Sequence, residues 1–134
     1  MGRTKQKMPP GLYRGTFSEI DPYRYDEIWI AVRQLKSVPA NPIGNVRYVR
    51  ILSPSKRLWY HYLDLRRAGN WNETSFMGDY APKLLKEMLL PGPLGKLREL
   101  KELTRTKSVL VVCYCKNRDL CHTRLLGKII ETMP

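Results

Sequence analysis

Two short runs stand out along the chain because nearly every position in them is apolar and β-prone. One is Ile28 to Val32, followed at once by Arg33, and the other is "SVLVVCY", residues 108 to 114. Short unbroken apolar runs predict strands buried on both faces, as in the interior of a parallel sheet. "LYRGTFS" predicts a short first strand, and "VRYVRIL", from Val46, alternates well enough for another. Elsewhere the apolar positions recur at helical spacing. In "SPSKRLWYHYLDLRRAGN" Leu58, Tyr62 and Leu65 share a face, and Gly69 ends the helix. Ser53 or Ser55 caps its start, and Pro54 suits a first turn.

"NETSFMGDYAPKLLKEML" has the same helical pattern, with Pro82 expected to break or kink it. "PGPLG" reads as a stiff turn before the helix "KLRELKELTR", and a final helix runs from about Cys121 to Thr132. "SVPANPIGN" contains Pro39, Pro42 and Gly44 and is a loop. Strands separated by helices need crossover connections. The pattern therefore predicts a layered α/β/α domain with a mostly parallel sheet. It takes residues 11 to 134, behind a flexible basic arm, residues 1 to 10, with too little apolar content to pack.

Composition fits one globular core, since the chain has 134 residues of which 43% are hydrophobic. No stretch approaches the roughly 18–20 apolar residues of a membrane helix, and "MGRTKQKMPP" lacks the apolar centre of a secretory signal. Gln6 stands where a myristoylation signal needs Ser or Thr. An odd cysteine count without a signal peptide points to a reducing interior, by default the cytoplasm. The formal charge of +12 draws polyanions, so a nucleotide or nucleic acid is the expected partner and a membrane is not. The aromatics of "LWYHYL" read first as a core face. Flanked by Lys56, Arg57, Arg66 and Arg67, they also suit base stacking.

Charge changes less than the cysteines do. "CYCKNRDLCH" places Cys113, Cys115 and Cys121 beside His122, between an apolar strand and an amphipathic helix. The carboxyl ends of parallel strands, next to helix amino termini, are where such sheets take ligands. Cys121, His122 and Arg124 fall in the first turn of the last helix, with Asp119 a candidate cap. Amides and dipole there favour anions and a thiolate. Cys121 thus reads as a catalytic nucleophile supported by His122 or Arg124, or the same amides cradle a phosphate without covalent chemistry. A metal held by Cys113, Cys115, Cys121 and His122 is disfavoured, because structural zinc sites use two separated pairs and adjacent residues 121 and 122 seldom both face inward. No metal and no other cofactor is expected. The bland alternative makes Cys113 a small buried hydrophobe and leaves His122 pairing with backbone near the cap.

These residues carry a resemblance. "VLVVCYCKNRDLCHTRLL" resembles the carboxyl-terminal signature of the domain of unknown function 488 family, in which Cys113, Tyr114, Lys116, Cys121 and His122 fall on the family pattern. Cys115 stands where the family usually has Glu, and Thr123 where it has Arg, with Arg124 one place later. "ILSPSKRLW", "WNETSFMGDYAPKLL" and "IAVRQLKSVP" are similar to further family segments, so the likeness covers most of residues 26 to 130. The resemblance implies a compact α/β domain with a shared site near Arg33, Cys113, Cys121 and His122, and it supplies no reaction. Cys115 could replace the family glutamate only as a thiolate or a metal ligand.

The reading that follows is a small enzyme acting on a nucleotide or nucleic acid. Cys121, His122 and Cys113 do the chemistry, and Arg33, Arg124, Lys116 and Tyr114 hold the anionic substrate. A non-catalytic nucleic-acid-binding module is the first alternative, and a small redox protein using Cys113 and Cys121 the second.

Overall fold

Strands form where the chain is apolar on both sides of its backbone. In the computed structural model, which describes residues 7–32, 45–113 and 118–133, β2 (Glu27–Ile30) and β4 (Ser108–Val112) are the interior strands of a sheet ordered β1-β4-β2-β3. β1 (Gly11–Gly15) and β3 (Val46–Tyr48) form its edges. Every pairing is parallel, with Gly11 aligned to Ser108, Glu27 to Val109 and Ile28 to Val46. Every residue of both interior strands is buried, as their apolar runs predict. β3 is shorter than the alternation of its segment suggests. After Tyr48 the chain enters a 3-10 turn, Arg50–Leu52, and Leu52 joins the helix-side core instead of a strand.

Because successive strand residues point to opposite faces, β2 and β4 feed two cores. Trp29, Ala31, Val109 and Val111 meet the helices through Leu58, Phe76, Leu84, Leu97, Leu100 and Leu126. Ile28, Leu110 and Val112 meet Tyr25, with Phe17 and Ile20 from the β1–β2 connection packed against them. The result is a layered α/β domain. Among the described residues, the layer opposite the helices is built by the 3-10 turn Phe17–Glu19 and its neighbours.

Local chemistry sets the helix limits. α1 (Lys56–Arg67) starts at Ser55, whose Oγ accepts from the Leu58 amide at 3.2 Å. Glu87 accepts from the Ser55 amide at 2.8 Å and from its hydroxyl, which ties this cap to a later helix. Gly69 ends α1 at φ +73°, where a side chain would be strained, while the Asn70 amide reaches back to the Leu65 carbonyl at 2.8 Å. α2 (Glu73–Ser75) leads through a π turn, Phe76–Tyr80, into α3 (Ala81–Met88). Pro82 therefore does not stop the helical path. The widened turn just before it accommodates a ring that lacks an N–H and would crowd the carbonyl of Gly78.

One expectation is corrected outright. "PGPLG" is no turn before a helix but the first turn of α4 (Pro91–Leu103). Amides of a first helical turn have no partner within the helix, so Pro91 and Pro93 lose nothing there.

Of the arm expected over residues 1 to 10, the first six lie outside the described residues. The rest is held: the Met8 amide donates to the Arg24 carbonyl at 2.8 Å, and Lys7 pairs with Asp26 at 2.9 Å. Asp26 also accepts from the Ser108 amide at 3.0 Å, fastening the start of β4. Its carboxyl is held below the usual carboxylate range, first by the Lys7 hydrogen bond and then by the Ser108 amide, against some burial. A depressed carboxylate contributes stability above its unfolded value of about 3.9, and that contribution disappears as pH falls through the folded value. Melting temperatures measured between pH 3 and 7 should therefore drop more steeply on acidification for the wild type than for Asp26→Ala. At neutral pH Asp26→Ala should cost about 1–3 kcal/mol, because the Ser108 amide loses its acceptor. Parallel acid curves would show that Asp26 is not a source of the acid sensitivity.

Candidate functional site

Cys113 follows directly on β4, at the carboxyl end of an interior strand, and its amide still donates to the Gly15 carbonyl of β1 at 3.3 Å. The chain returns at a 3-10 turn, Arg118–Leu120, and Cys121 is the N-cap of α5 (His122–Thr132). Asp119, the cap suggested by sequence, lies in the turn before it. Cys121 has extended backbone, φ −109° and ψ 143°, whereas His122 begins the helix. This change of direction is why two adjacent side chains face the same cluster, against expectation, with Cys121 Sγ 3.8 Å from His122 Nδ1.

The Cys113 and Cys121 sulfurs stand 2.7 Å apart. That is longer than the about 2.05 Å of a disulfide and shorter than the roughly 3.5–4.0 Å at which carbon atoms rest. Donor atoms of Cys113, Cys121 and His122 all lie within 4.8 Å of one another. The three residues are 4%, 1% and 6% exposed, and Ile30 and Val32 share the cysteines' apolar cluster.

His122 Nε2 lies 2.9 Å from the carbonyl oxygen of Ala31. A carbonyl only accepts, so Nε2 carries the proton and Nδ1 presents its lone pair towards Cys121. Burial pushes the imidazole pKa down, opposed by charge on Cys113 and by the Ala31 bond. The ring is thus neutral at pH 7, with an oriented acceptor beside a thiol. Thr123 Oγ1 donates to Cys121 Sγ at 3.3 Å, a donor well placed for negative charge on that sulfur.

Sequence reasoning missed Ala31 and Thr123. A backbone carbonyl leaves no mark in a sequence, so Ala31 was not recoverable. Thr123, two residues beyond a helix-capping cysteine, carried a weak local signal.

Arg124 is engaged elsewhere. Its guanidinium donates to both Glu73 carboxylate oxygens at 3.1 Å and to the Asp119 carbonyl at 2.7 Å, and sits 5.5 Å from the Phe76 ring centre. The Glu73 bond raises its pKa further. Arg124 also lines an open hollow of about 690 Å³ with Arg14, Glu73, Asp119, Lys128 and Glu131. Cations and acids balance there, and the hollow shares no lining residue with the sulfur cluster. Arg33, Tyr114, Cys115 and Lys116 lie outside the described residues. The convergence of Arg33 with Cys121 therefore stays an expectation, although Ala31, two positions earlier, is in contact with His122.

A family model described as the active DUF488-N3 subclade matches residues 21–134. The chain belongs to the DUF488 family. The DUF488 match takes in β2 to α5 with Cys113, Cys121 and His122, while β1 precedes it. No curated protein and no solved structure matches the chain. No helix among the described residues is long and apolar enough to cross a membrane.

Proposed function

We propose that this DUF488 protein is an enzyme acting on a nucleotide or nucleic-acid substrate at the carboxyl edge of its sheet, with Cys121 as the reacting thiol. The observation that carries this reading is His122, buried, neutral and anchored through Nε2, with its Nδ1 lone pair turned to Cys121. A proton leaving Cys121 Sγ passes to Nδ1, and the Thr123 hydroxyl steadies the thiolate left behind. Cys113 is the second sulfur of the site. The substrate class is supported by the charge of +12 and by the tendency of parallel sheets to take ligands at this edge. The family's description as an active subclade accords with catalysis. Arg33, Tyr114 and Lys116 are assigned to the substrate's anionic groups by their place in the family pattern. Arg124 joins them only by exchanging Glu73 for substrate. The setting that keeps such thiols reduced is the cytoplasm.

A non-catalytic nucleic-acid-binding module is favoured by one feature of α1. Trp59 and Tyr60 are 41% and 53% exposed, beside Lys56 and Arg57, and the Lys56 ammonium lies 5.9 Å from the Tyr60 ring centre. One titration separates the two readings. Labelled single-stranded oligonucleotides should bind the wild type, with affinity falling at least about tenfold between about 50 and 200 mM salt. The wild type should convert them or free nucleotides to product, and Cys121→Ser should bind equally and convert nothing. Binding without conversion by the wild type leaves the module. No binding at low salt removes both.

A further inference from the structure

The donors around Cys121 also satisfy a different chemistry. Two thiols and an imidazole, from Cys113, Cys121 and His122, converge within 4.8 Å. The imidazole is presented as a metal-binding histidine is, with its outer N–H given to a backbone carbonyl, here Ala31 at 2.9 Å, and its other nitrogen turned inward. We propose that Cys113 Sγ, Cys121 Sγ and His122 Nδ1 bind one thiophilic divalent cation of the zinc class. This goes beyond the enzymatic reading, since it holds whether or not the protein turns over a nucleotide.

Charge and size both fit. Two thiolates neutralise one divalent ion, so the complex buried against Ile30 and Val32 carries no net charge. With zinc–sulfur bonds of about 2.3 Å and tetrahedral angles, two ligand sulfurs stand about 3.7 Å apart and a sulfur and an imidazole nitrogen about 3.5 Å. The sulfur–nitrogen separation is 3.8 Å. The sulfurs, at 2.7 Å, need to part by only about 1 Å. Binding forms two metal–sulfur bonds and one metal–nitrogen bond and releases the two thiol protons to solvent. Nothing is oxidised. Among the described residues three ligands converge, and three protein ligands with a fourth position for water or an anion is the arrangement of catalytic zinc. While the ion is bound, Cys121 is a ligand and not a nucleophile.

The test uses the full chain carrying Cys115→Ser, so that only the two thiols in question remain. Fully reduced protein with two titratable thiols is titrated anaerobically with Co²⁺. One equivalent should produce sulfur-to-cobalt charge-transfer absorption in the near ultraviolet and intense tetrahedral bands in the visible, and Zn²⁺ should displace both. Cys113→Ser and Cys121→Ser should each remove about half the charge-transfer intensity. His122→Gln should keep the intensity and weaken affinity by more than about tenfold, since losing even an outer-shell partner of a ligand costs about that much. Pale octahedral cobalt absorption in the reduced protein overturns the proposal, and the same titration of the unsubstituted chain makes that result independent of whether any variant folds. So does charge transfer that survives undiminished in Cys113→Ser. Failure to convert any nucleotide bears only on the enzymatic reading.

Discussion

Trp29→Ala is expected to destabilise the domain by about 3–5 kcal/mol, a large part of the roughly 5–15 kcal/mol that holds a domain of this size. Trp29 is fully buried on an interior strand and forms the floor of the helix-side core. Its indole N–H donates to Glu27 Oε1 at 3.0 Å, and Arg47 and Lys96 each sit 5.9 Å from its ring centre. Glu27 is buried too, but Arg47 at 3.3 Å and Lys107 at 3.5 Å remain to it when the indole is lost. The cavity is therefore the main loss, and the missing hydrogen bond the smaller one. Trp29→Phe, which keeps much of the volume and removes the donor, should cost only about 1–3 kcal/mol. Denaturant midpoints that fall with an unchanged slope would establish both values. A Trp29→Ala protein within 1 kcal/mol of the wild type, by order of magnitude, would show that the core closes over the gap.

Phe76→Ala should rank beside it, again at about 3–5 kcal/mol. Phe76 is fully buried in the π turn, stacked on Tyr80 with ring centres 5.8 Å apart and edge-on to Trp71 at 5.7 Å. It is also the surface beneath the Arg124 guanidinium, so its loss loosens the link between α2 and the start of α5. The contrast lies with α1. Trp59→Ala should cost clearly less than Phe76→Ala, because Trp59 is 41% exposed and its removal leaves no closed cavity. Equal losses at positions 59 and 76, read as shifts in denaturant midpoint, would contradict this division between core and surface aromatics.

Much of this organisation was legible because it is local. β2 and β4 announce themselves by unbroken apolar runs, since both faces of each are covered. α1 could be delimited by Ser55 and Gly69, and the strand and the helix on either side of the cysteine segment read correctly. What could not be read depends on distant partners or on backbone direction. The insertion of β4 between β1 and β2 pairs residues far apart in the chain, as Gly11 with Ser108. Arg124 looked available for an anion because Glu73 is 51 residues away in sequence. His122 and Cys121 face one another because the backbone turns at a helix cap, which residue spacing alone does not reveal. Pro91 and Pro93 misled in the opposite sense, since the same residues that mark turns are also tolerated in a helix's first turn.

The place of β4 also dictates when the molecule can exist during its own synthesis. β1 and β2 emerge first, but they do not pair with one another; the strand that joins them is made more than seventy-five residues after β2 ends. Until Ser108 to Val112 leave the ribosome, β1 has no strand to pair with and β2 has only the short edge strand β3. Cys113, Cys121 and His122 come later still, so the thiol cluster cannot form before the sheet's last strand has been made. A ribosome that stalls before β4 releases a chain without the strand that joins β1 to β2. An unfinished copy therefore lacks the Cys113, Cys121 and His122 cluster altogether, and its uncovered apolar strand β2 is a burden for chaperones.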